Sequence, residues 1–282
     1  MASEGVMGTR GVRMKIGQRE FDFTKKTYVM GILNITPDSF SDGGKWNRLD
    51  QALFRARQME EEGAAVLDIG AESTRPGYTP ISAEEEIERL MPVIEKVKAN
   101  ISLPISVDTY KSKVAKAALC AGADMVNDIW GFRYDAEMAK AAANAGAACC
   151  LTHNRKKAEY QDFFQELAAD LRESVQIAKN AGVSDDAILL DPGIGFGKTY
   201  EQNLEALRNL GQLKKIGYPL LLGASRKSVV GLTLNLPVSK RLEGTLVTTV
   251  FAVMSQCAFV RVHDVKENVR AIKMAEAILY KA

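Results

Sequence analysis

The sequence predicts an α/β fold, a (β/α)₈ barrel, preceded by a short N-terminal β-hairpin. Eight short apolar runs follow one another along the 282 residues, and each ends on or beside a polar residue. A helix-patterned stretch comes after every run. The ends of successive runs lie about 20 to 40 residues apart, which leaves room for one loop and one helix per unit.

The eight runs are the predicted barrel strands. They are Tyr28–Leu33, Ala65–Ile69, Pro104–Val107, Asp124–Val126, Ala147–Leu151, Ile188–Leu190, Pro219–Leu222 and Ala258–Val262. Their ends carry Asn34, Asp68, Asp108, Asn127, His153, Asp191, Ser225 and His263. In a TIM barrel the chemistry lies where the strands finish, so functional residues are expected among these polar side chains.

The remaining elements fit the same architecture. Met14–Phe23 alternates apolar and polar residues around Gly17-Gln18, which predicts a hairpin that could cover the bottom of the barrel. Ser82 and Glu85 form a capping-box pattern, and Asp264 is a predicted N-cap. The predicted helices cover about 49–62, 82–99, 111–121, 135–145, 158–181, 200–215, 239–256 and 265–280.

We expect residues 14–282 to form a single (β/α)₈ barrel domain without a linker, and residues 1–13 to be a disordered or expression-derived tail. A doubly wound sheet is the competing architecture. Its dinucleotide-binding version places Gly-x-Gly-x-x-Gly directly after the first strand. Here the glycine-rich segment, Gly193–Gly197, follows the sixth strand, which favours the barrel.

Composition narrows the class of protein. The hydrophobic fraction is 46% and the charged fraction is 26%, ordinary values for a globular protein, and the net charge of +2 gives no support for nucleic-acid binding. No run of about 18 apolar residues predicts a membrane span. Residues 1–13 lack the apolar core of a signal peptide. The four cysteines lack CxxC spacing, which predicts buried free thiols rather than a zinc site and is consistent with a reducing cytoplasm, so we expect a cytoplasmic protein.

The first two strand exits offer ligands for a cation and an anion. The Asn34 carboxamide could bind Mg²⁺, although the Thr-Pro-Asp-Ser sequence that follows is also typical of turns. After the second strand, Ser73, Thr74 and Arg75 would suit an anion, while Arg75 could equally be a solvated loop charge.

Asp108, Asn127 and Asp191 end three further strands and should face one mouth. One such carboxylate could be a structural N-cap, but two with an amide are harder to explain that way. They could bind the donor-rich edge of an aminopyrimidine-type ring, hold a metal, or act as acid and base. Their spacing does not decide between these chemistries.

The last three segments combine backbone access with positive charge. Between Asp191 and Lys198, glycines allow close approach and Phe196 offers a flat apolar face; a mobile turn is the alternative. Ser225 is predicted to cap a helix that favours anions, and Lys227 to donate to a ring carbonyl or to be an exposed cation. Arg261 and His263 share one strand face, where barrels commonly bind phosphate.

Seven segments in this order resemble one known family. They are Asn34–Gly44, Glu72–Gly77, Ile105–Thr109, Asn127–Ile129, Asp191–Lys198, Ser225–Lys227 and Arg261–Val265. The chain resembles the dihydropteroate synthases, folate-pathway enzymes inhibited by sulfonamides, over about residues 14–280. The resemblance implies condensation of 6-hydroxymethyl-7,8-dihydropterin diphosphate with para-aminobenzoate, which gives 7,8-dihydropteroate and diphosphate.

The resemblance also implies roles for particular residues. The pterin would be held by Asp108, Asn127, Asp191 and Lys227. Mg²⁺ would be bound with help from Asn34, and the diphosphate would be gripped by Thr74, Arg261 and His263. Para-aminobenzoate would meet Ser225, Pro76, Phe196 and Lys227. Closure of the Thr36–Phe40 and Ser73–Gly77 loops would bring in the further catalytic residues Asp38 and Arg75, beside Lys227, Arg261 and His263.

The chain departs from the family pattern after the fifth strand. Many relatives carry Met-His-Met there, where this chain has Thr152-His-Asn154, so Thr152 or Leu151 would supply a different wall for the pterin. Two other functions stay open: a corrinoid-linked methyltetrahydrofolate methyltransferase and a non-catalytic pterin-binding paralogue. The family also implies a homodimer formed by late helices, where the stretch Leu246–Met254 is apolar.

Overall fold

A computed structural model describes residues 13–35, 45–72 and 79–280 of the chain. Eight parallel strands form one sheet, and their order across it is Ile188–Asp191, Ala148–Thr152, Met125–Asp128, Ile105–Asp108, Val66–Gly70, Tyr28–Asn34, Phe259–Val262 and Leu221–Leu222. An isolated parallel bridge between Leu190 and Leu220 joins the two ends of that order, and the Leu190 N–H donates to the Pro219 carbonyl at 3.0 Å. The sheet therefore curls into a nearly closed barrel, as the sequence predicts, and the doubly wound alternative is wrong.

The strands are short and the helices alternate with them. The strands are β1 Arg13–Ile16, β2 Arg19–Asp22, β3 Tyr28–Asn34, β4 Val66–Gly70, β5 Ile105–Asp108, β6 Met125–Asp128, β7 Ala148–Thr152, β8 Ile188–Asp191, β9 Leu221–Leu222 and β10 Phe259–Val262. The helices are α1 Lys45–Glu62, α2 Ala83–Lys98, α3 Ser112–Cys120, α4 Met138–Ala145, α5 Phe163–Asn180, α6 Tyr200–Arg208, α7 Leu210–Leu213, α8 Ser228–Leu234, α9 Leu242–Met254 and α10 Val265–Tyr280.

Side-chain alternation along the strands separates two apolar clusters. On β10, Phe259 packs with the cluster inside the barrel, while Val260 and Val262 pack with the cluster that the helices share. On β4, Val66 lies inside and Leu67 and Ile69 lie outside. Because both faces of each strand are covered, apolar residues run nearly continuously along the sequence.

The N-terminal hairpin packs against the amino ends of the barrel strands. β1 and β2 pair antiparallel around Gly17, whose φ is +59°. Phe21 and Phe259 stack edge to face, with ring centroids 5.2 Å apart. Met14 and Ile16 are buried in the same interior cluster. The hairpin thus covers the bottom of the barrel, as predicted, and leaves the carboxyl ends of the strands free for a site.

Several helix boundaries differ from the prediction for local reasons. Ser82 caps α2, because its side chain accepts from the Glu85 N–H at 3.1 Å, as the sequence predicts. α5 begins at Phe163, after Asp162 accepts from the Gln165 N–H at 3.1 Å. Asp264 directly precedes α10, at its predicted N-cap position, and its carboxylate binds the Arg226 guanidinium. That residues 14–282 form one domain stays a prediction.

Cysteine burial corrects one expectation. Cys149, Cys150 and Cys257 are buried free thiols, as predicted, but Cys120 at the end of α3 is exposed. In the described ranges, no helix combines the length and apolar character that a bilayer span requires.

Candidate active site

The carboxyl ends of the barrel strands bring the predicted polar residues into one interior layer. Asp68 lies two residues after the inward-facing Val66 on β4, and Arg261 lies two residues after Phe259 on β10. Asp108 on β5 is paired in register with Asn127 on β6. Since alternate residues of a strand share a face, these side chains all enter the barrel above its apolar floor.

Arg261 connects two carboxylates across this layer. Its Nε donates to Asp68 Oδ2 at 2.5 Å, and its Nη2 donates to Asp108 Oδ2 at 2.5 Å. Asn127 Nδ2 also donates to Asp68 Oδ2, at 3.1 Å. Asp68 has no solvent exposure, and its Oδ1 has no hydrogen-bond partner among the described residues. The guanidinium therefore has a fixed orientation, and its Nη1 donates to no acceptor in the described part of the chain.

The electrostatics of this layer follow from burial and from the ion pairs. Burial raises the pKa of Asp108 to about 7; the Arg261 charge opposes this shift and the Asp68 charge adds to it. Burial alone would lower the pKa of Arg261, but the carboxylates of Asp68 and Asp108 more than offset it, so that pKa is raised. Arg261 is therefore always charged, while Asp108 can hold a proton near neutral pH.

A second group of residues forms around Asp191 at the end of β8. Asp191 is buried, and its Oδ1 accepts from the Gly193 N–H at 2.7 Å. Burial raises its pKa against the charge of Lys227. A Cβ on Gly223 would lie 3.2 Å from Asp191 Oδ2, so a glycine at the end of β9 lets the strand pass close to this carboxylate.

Lys227 is held over the glycine-rich segment. Its Nζ donates to the Ile194 carbonyl at 2.5 Å and lies 4.4 Å from the centre of the Phe196 ring. Burial lowers the pKa of Lys227 to about 8, although Asp191 and Asp108 act in the opposite direction. The structure thus brings Lys227 and Phe196 together, as predicted.

Ser225 does not cap a helix, which corrects the sequence-based expectation. Its Oγ lies 3.0 Å from His263 Nδ1 and accepts from the His263 N–H at 3.3 Å. α8 begins three residues later at Ser228, and Lys227 stands at its N-cap position without a side-chain capping bond. Ser225 is engaged by β10 and is therefore part of the rim rather than a helix start.

Arg226 and Asp264 stabilise this rim from outside the mouth. Arg226 has a φ of +57°, and its guanidinium binds the Asp264 carboxylate through Nε at 2.9 Å and through Nη2. Its N–H donates to Thr245 Oγ1 at 3.0 Å. Arg241 donates to its carbonyl at 3.0 Å. These bonds orient Ser225 and Lys227 toward the barrel axis while Arg226 is turned outward.

Comparison with known proteins agrees with this geometry. A family model described as "Pterin binding enzyme" matches residues 30–263. The chain belongs to this family, among its dihydropteroate synthases. The dihydropteroate synthase of Clostridium beijerinckii is 57% identical over 267 residues, which cover 94% of this chain and 99% of that relative.

Solved structures give the same assignment. A Clostridium difficile dihydropteroate synthase solved in the presence of pteroic acid has a TM-score of 0.90 and 48% identity, covering 93% of this chain and 100% of that one. The Xanthomonas albilineans enzyme with 4-aminobenzoic acid has a TM-score of 0.91 and 38% identity, covering 96% and 100%. Each is a TIM-barrel transferase similar to this protein along nearly the whole chain.

Thr152 is the inward residue at the position where many dihydropteroate synthases carry methionine. It follows Cys150 on the interior face of β7 and is buried, whereas Leu151 packs outward against the helices. A Cβ on Gly193 would lie 3.2 Å from Thr152 Cγ2. The sequence analysis offered Thr152 or Leu151 as a wall for the bound ring. Because Thr152 faces the barrel interior and Leu151 does not, Thr152 is the one placed to line the mouth.

Sequence reasoning gave no role to three residues that the structure places beside this family's site. The sequence analysis predicts only that Asp68 ends a strand. Its spacing of two residues from the apolar Val66 indicates in addition that the two side chains share one face of that strand. His153 and Lys198 are joined by a 2.7 Å hydrogen bond between the exits of β7 and β8. Four predicted residues, Asp38, Thr74, Arg75 and Pro76, lie outside the described residues.

Asn34 is the last residue of β3 and is partly buried at the rim. It pairs in register with Gly70 of β4. Among the described residues no group of three or more acidic, histidine or cysteine side chains could form a complete metal site. A cation at Asn34 would therefore depend on oxygen ligands from elsewhere, as Mg²⁺ bound with substrate phosphates commonly does.

Proposed function

We propose that this protein condenses 6-hydroxymethyl-7,8-dihydropterin diphosphate with para-aminobenzoate and releases 7,8-dihydropteroate and diphosphate. The observation that carries the proposal is the interior layer in which Arg261 joins Asp68 and Asp108 beside Asn127. It lies at the carboxyl ends of strands in a chain 57% identical to a dihydropteroate synthase. Carboxylates, an amide and two cations at one mouth match a substrate with a polar ring and an anionic tail.

The pterin ring would lie deep in the mouth. Asp108 and Asp191, when ionised, only accept hydrogen bonds, which suits the amino and ring N–H groups of the pterin. Asn127 can both donate and accept, and Lys227 would donate to the ring carbonyl. Asn127 and Asp191 are buried and Asp108 and Lys227 are half-buried, and little competing water strengthens each hydrogen bond and makes a mismatched ring costly.

The positive charge of Arg261 would stabilise the departing diphosphate, and His263 and Thr74 would donate further hydrogen bonds to it. Asp68 and Asp108 hold the guanidinium in place, and Nη1 remains available to a phosphate oxygen. The bond between the pterin methylene and the bridging oxygen breaks, and its electron pair leaves with the diphosphate. Preorganised positive charge lowers the barrier because it stabilises charge that develops on that oxygen.

Para-aminobenzoate would enter above the pterin methylene. The Phe196 ring, Lys227 and Pro76 would border its ring, and Ser225 would donate to its carboxylate. The amine nitrogen forms the new bond to the methylene carbon and loses one proton, so no activated protein nucleophile is needed. Asp38 and Arg75 remain predicted contributors to this step, and exclusion of water would protect the electrophilic carbon.

Mg²⁺ is the cofactor that we propose, with Asn34 as its protein ligand. One amide oxygen at the rim fits a cation that takes its other ligands from water and diphosphate. When bound, Mg²⁺ would neutralise charge on the leaving group. Asn34 would hold it on the side of the mouth next to β10 and β4.

We also propose a homodimer formed through α9 and α10. Val247, Phe251 and Met254 on α9 are exposed by 57%, 49% and 60%, and Met274 and Ile278 on α10 by 63% and 70%. Exposed apolar side chains on two packed helices are typical of an interface. The free thiols of the chain support a reducing, cytoplasmic location, which stays a prediction.

Incubation with the pterin diphosphate, Mg²⁺ and para-aminobenzoate tests the proposal. We expect dihydropteroate and diphosphate to form in equal amounts. Arg261→Lys, which keeps the charge but not the two-armed contact, should lose turnover by about 100-fold while it still binds the pterin. Formation of no dihydropteroate by the parent protein, under conditions where a relative is active, would exclude this function.

A further inference from the structure

The ammonium of Lys198 closes the glycine-rich segment that follows β8. Its Nζ donates to the Gly193 carbonyl at 2.9 Å and to the Phe196 carbonyl at 3.0 Å. A third hydrogen bond, of 2.7 Å, joins Nζ to His153 Nδ1. A longer contact of 3.5 Å joins Nζ to the His153 carbonyl, and burial lowers the pKa of Lys198 to about 7. Lys198 therefore links Gly193 and Phe196, at the two sides of this segment, to His153, which directly follows β7.

His153 in turn connects Lys198 to Asp170 on helix α5. Asp170 Oδ2 lies 3.0 Å from His153 Nε2 and, as an ionised carboxylate, can only accept, so Nε2 carries the single proton of the neutral imidazole and Nδ1 accepts from Lys198. Asp170 is held in turn by Arg155 through Nε at 2.7 Å and Nη2 at 3.0 Å. Burial, together with the nearby Lys198 charge, lowers the pKa of His153 to about 4. The imidazole is thus neutral and has one defined tautomer.

The segment that Lys198 closes is the one that binds Lys227. Ile194, whose carbonyl accepts from Lys227 Nζ, lies between Gly193 and Phe196. The Phe196 ring lies below the same ammonium. Gly193 is also packed against the β7 exit, since a Cβ on it would lie 1.9 Å from the His153 carbonyl oxygen. Any shift of the segment therefore moves both contacts of Lys227 at once.

We propose that the chain Asp170–His153–Lys198 positions Lys227 for substrate binding. Lys198 holds the segment in the one conformation that places the Ile194 carbonyl and the Phe196 ring against the Lys227 ammonium. Lys198 and His153 touch no substrate in this arrangement and act only through Lys227. The inference rests on the proposed role of Lys227 at the pterin and para-aminobenzoate, but the geometry of the chain is independent of that role.

The test compares Lys198→Met with the parent protein and with Lys214→Met. Lys214 precedes β9 at the other end of the barrel, and its Nζ donates to Gln256 Oε1 at 2.7 Å, so it controls for the loss of one part-buried lysine. The readout in the ligand-free protein is the titration of Lys227, followed by NMR of lysines labelled with ¹³C at Cε and assigned with Lys227→Arg. The second readout is the KM for each substrate and the kcat.

Lys198→Met should release the segment and expose the Lys227 ammonium. We expect its pKa to rise toward the ordinary value of a lysine, because burial is what lowers it; loss of the neighbouring Lys198 charge acts in the same direction, so Asp170→Asn is the deciding variant. We also expect the KM for the pterin diphosphate and for para-aminobenzoate to rise about tenfold, whereas Lys214→Met changes neither quantity. A lower melting temperature with unchanged Lys227 titration and unchanged KM values would overturn the inference, since Lys198 would then only support the fold.

Two further results distinguish a failure of this inference from a failure of the proposed function. Asp170→Asn removes a negative charge, and that loss alone would lower the Lys227 pKa; because it also frees His153 and the segment, the inference predicts a rise instead, with KM raised about threefold, and the variant also serves if Lys198→Met does not fold. A Lys227 pKa in Asp170→Asn that is unchanged from the parent or lower would overturn the inference. A shifted Lys227 titration without any change in condensation would support the positioning chain and contradict the proposed role of Lys227 at the substrates.

Discussion

Arg261 Nε donates to Asp68 Oδ2 at 2.5 Å, across 193 residues of sequence and from one barrel strand to a strand that is not its neighbour. Asp68 has no exposure, so this hydrogen bond is formed away from water, where charged pairs are strong and costly to break. Asp68 therefore orients Arg261, the residue proposed to bind the diphosphate.

Asp68→Asn should lower kcat more than it lowers pterin affinity. The amide keeps the size of the side chain but cannot hold Arg261 by charge, and a misplaced guanidinium costs about 10- to 100-fold in turnover. Steady-state kinetics and pterin titration measure the two effects. Asp50→Asn, which removes a surface carboxylate paired with Lys96, is the matched control and should change neither kcat nor pterin affinity. A normal kcat in Asp68→Asn would show that Arg261 needs no such support.

The pH profile of kcat/KM for the pterin diphosphate should be bell-shaped. Asp108, with its pKa raised to about 7 by burial, must be ionised to accept hydrogen bonds, so activity should rise as the pH rises through about 7. Lys227, with its pKa lowered to about 8 by burial, must be protonated to donate, so activity should fall above about pH 8. Asp108→Asn should lose the rising limb; a rising limb that survives in this variant would assign it to another group.

The same Asp108 shift predicts the direction of a stability change. A folded-state pKa above the unfolded value means that the folded protein binds the proton more tightly. This contribution to the free energy of unfolding is complete below about pH 3.8 and is lost as the pH rises through about 7. Denaturant titrations of Asp108→Asn and the parent at several pH values should therefore differ in slope against pH, and parallel curves would contradict the assignment.

Asn34→Ala should raise the Mg²⁺ concentration required for half-maximal activity by about tenfold. Asn34 is the residue that the family resemblance assigns as a Mg²⁺ ligand, and it lies partly buried at the end of β3. The melting temperature without Mg²⁺ should not change, since Asn34 is not part of the apolar core. Activity measured over a range of Mg²⁺ concentrations checks this, and an unaltered requirement would remove Asn34 from the proposed metal site.

Thr152→Met should tighten pterin binding by about two- to tenfold, because a longer apolar side chain on the inward face of β7 would extend over the ring. Thr152→Val, which replaces the hydroxyl by a methyl group of similar size, separates polarity from reach. Calorimetric titration of the pterin diphosphate compares the three proteins. Affinity in Thr152→Met equal to that of the parent would show that this position does not border the pterin.

The barrel and its strand ends could be predicted because both depend on local pattern. Strand length, alternation and parallel topology suffice to place Asp108, Asn127, Asp191 and Arg261 at one mouth. The pairing of Arg261 with Asp68 could not be predicted, because it joins non-neighbouring strands whose register is absent from the sequence. Ser225 was assigned to a helix start for a similar reason: its hydroxyl is engaged by His263 from another strand, a partner that local sequence does not reveal.

Binding of the pterin diphosphate to Asp191→Asn, in the absence of para-aminobenzoate, tests the central claim most directly. Asp186→Asn makes the same substitution on an exposed residue before β8, at the opposite end of the barrel. The account predicts that Asp191→Asn weakens binding by about 10- to 100-fold, since an amide places a donor where the ring also donates, while Asp186→Asn binds like the parent. Equal affinity in all three proteins would contradict the claim that the barrel mouth binds the pterin.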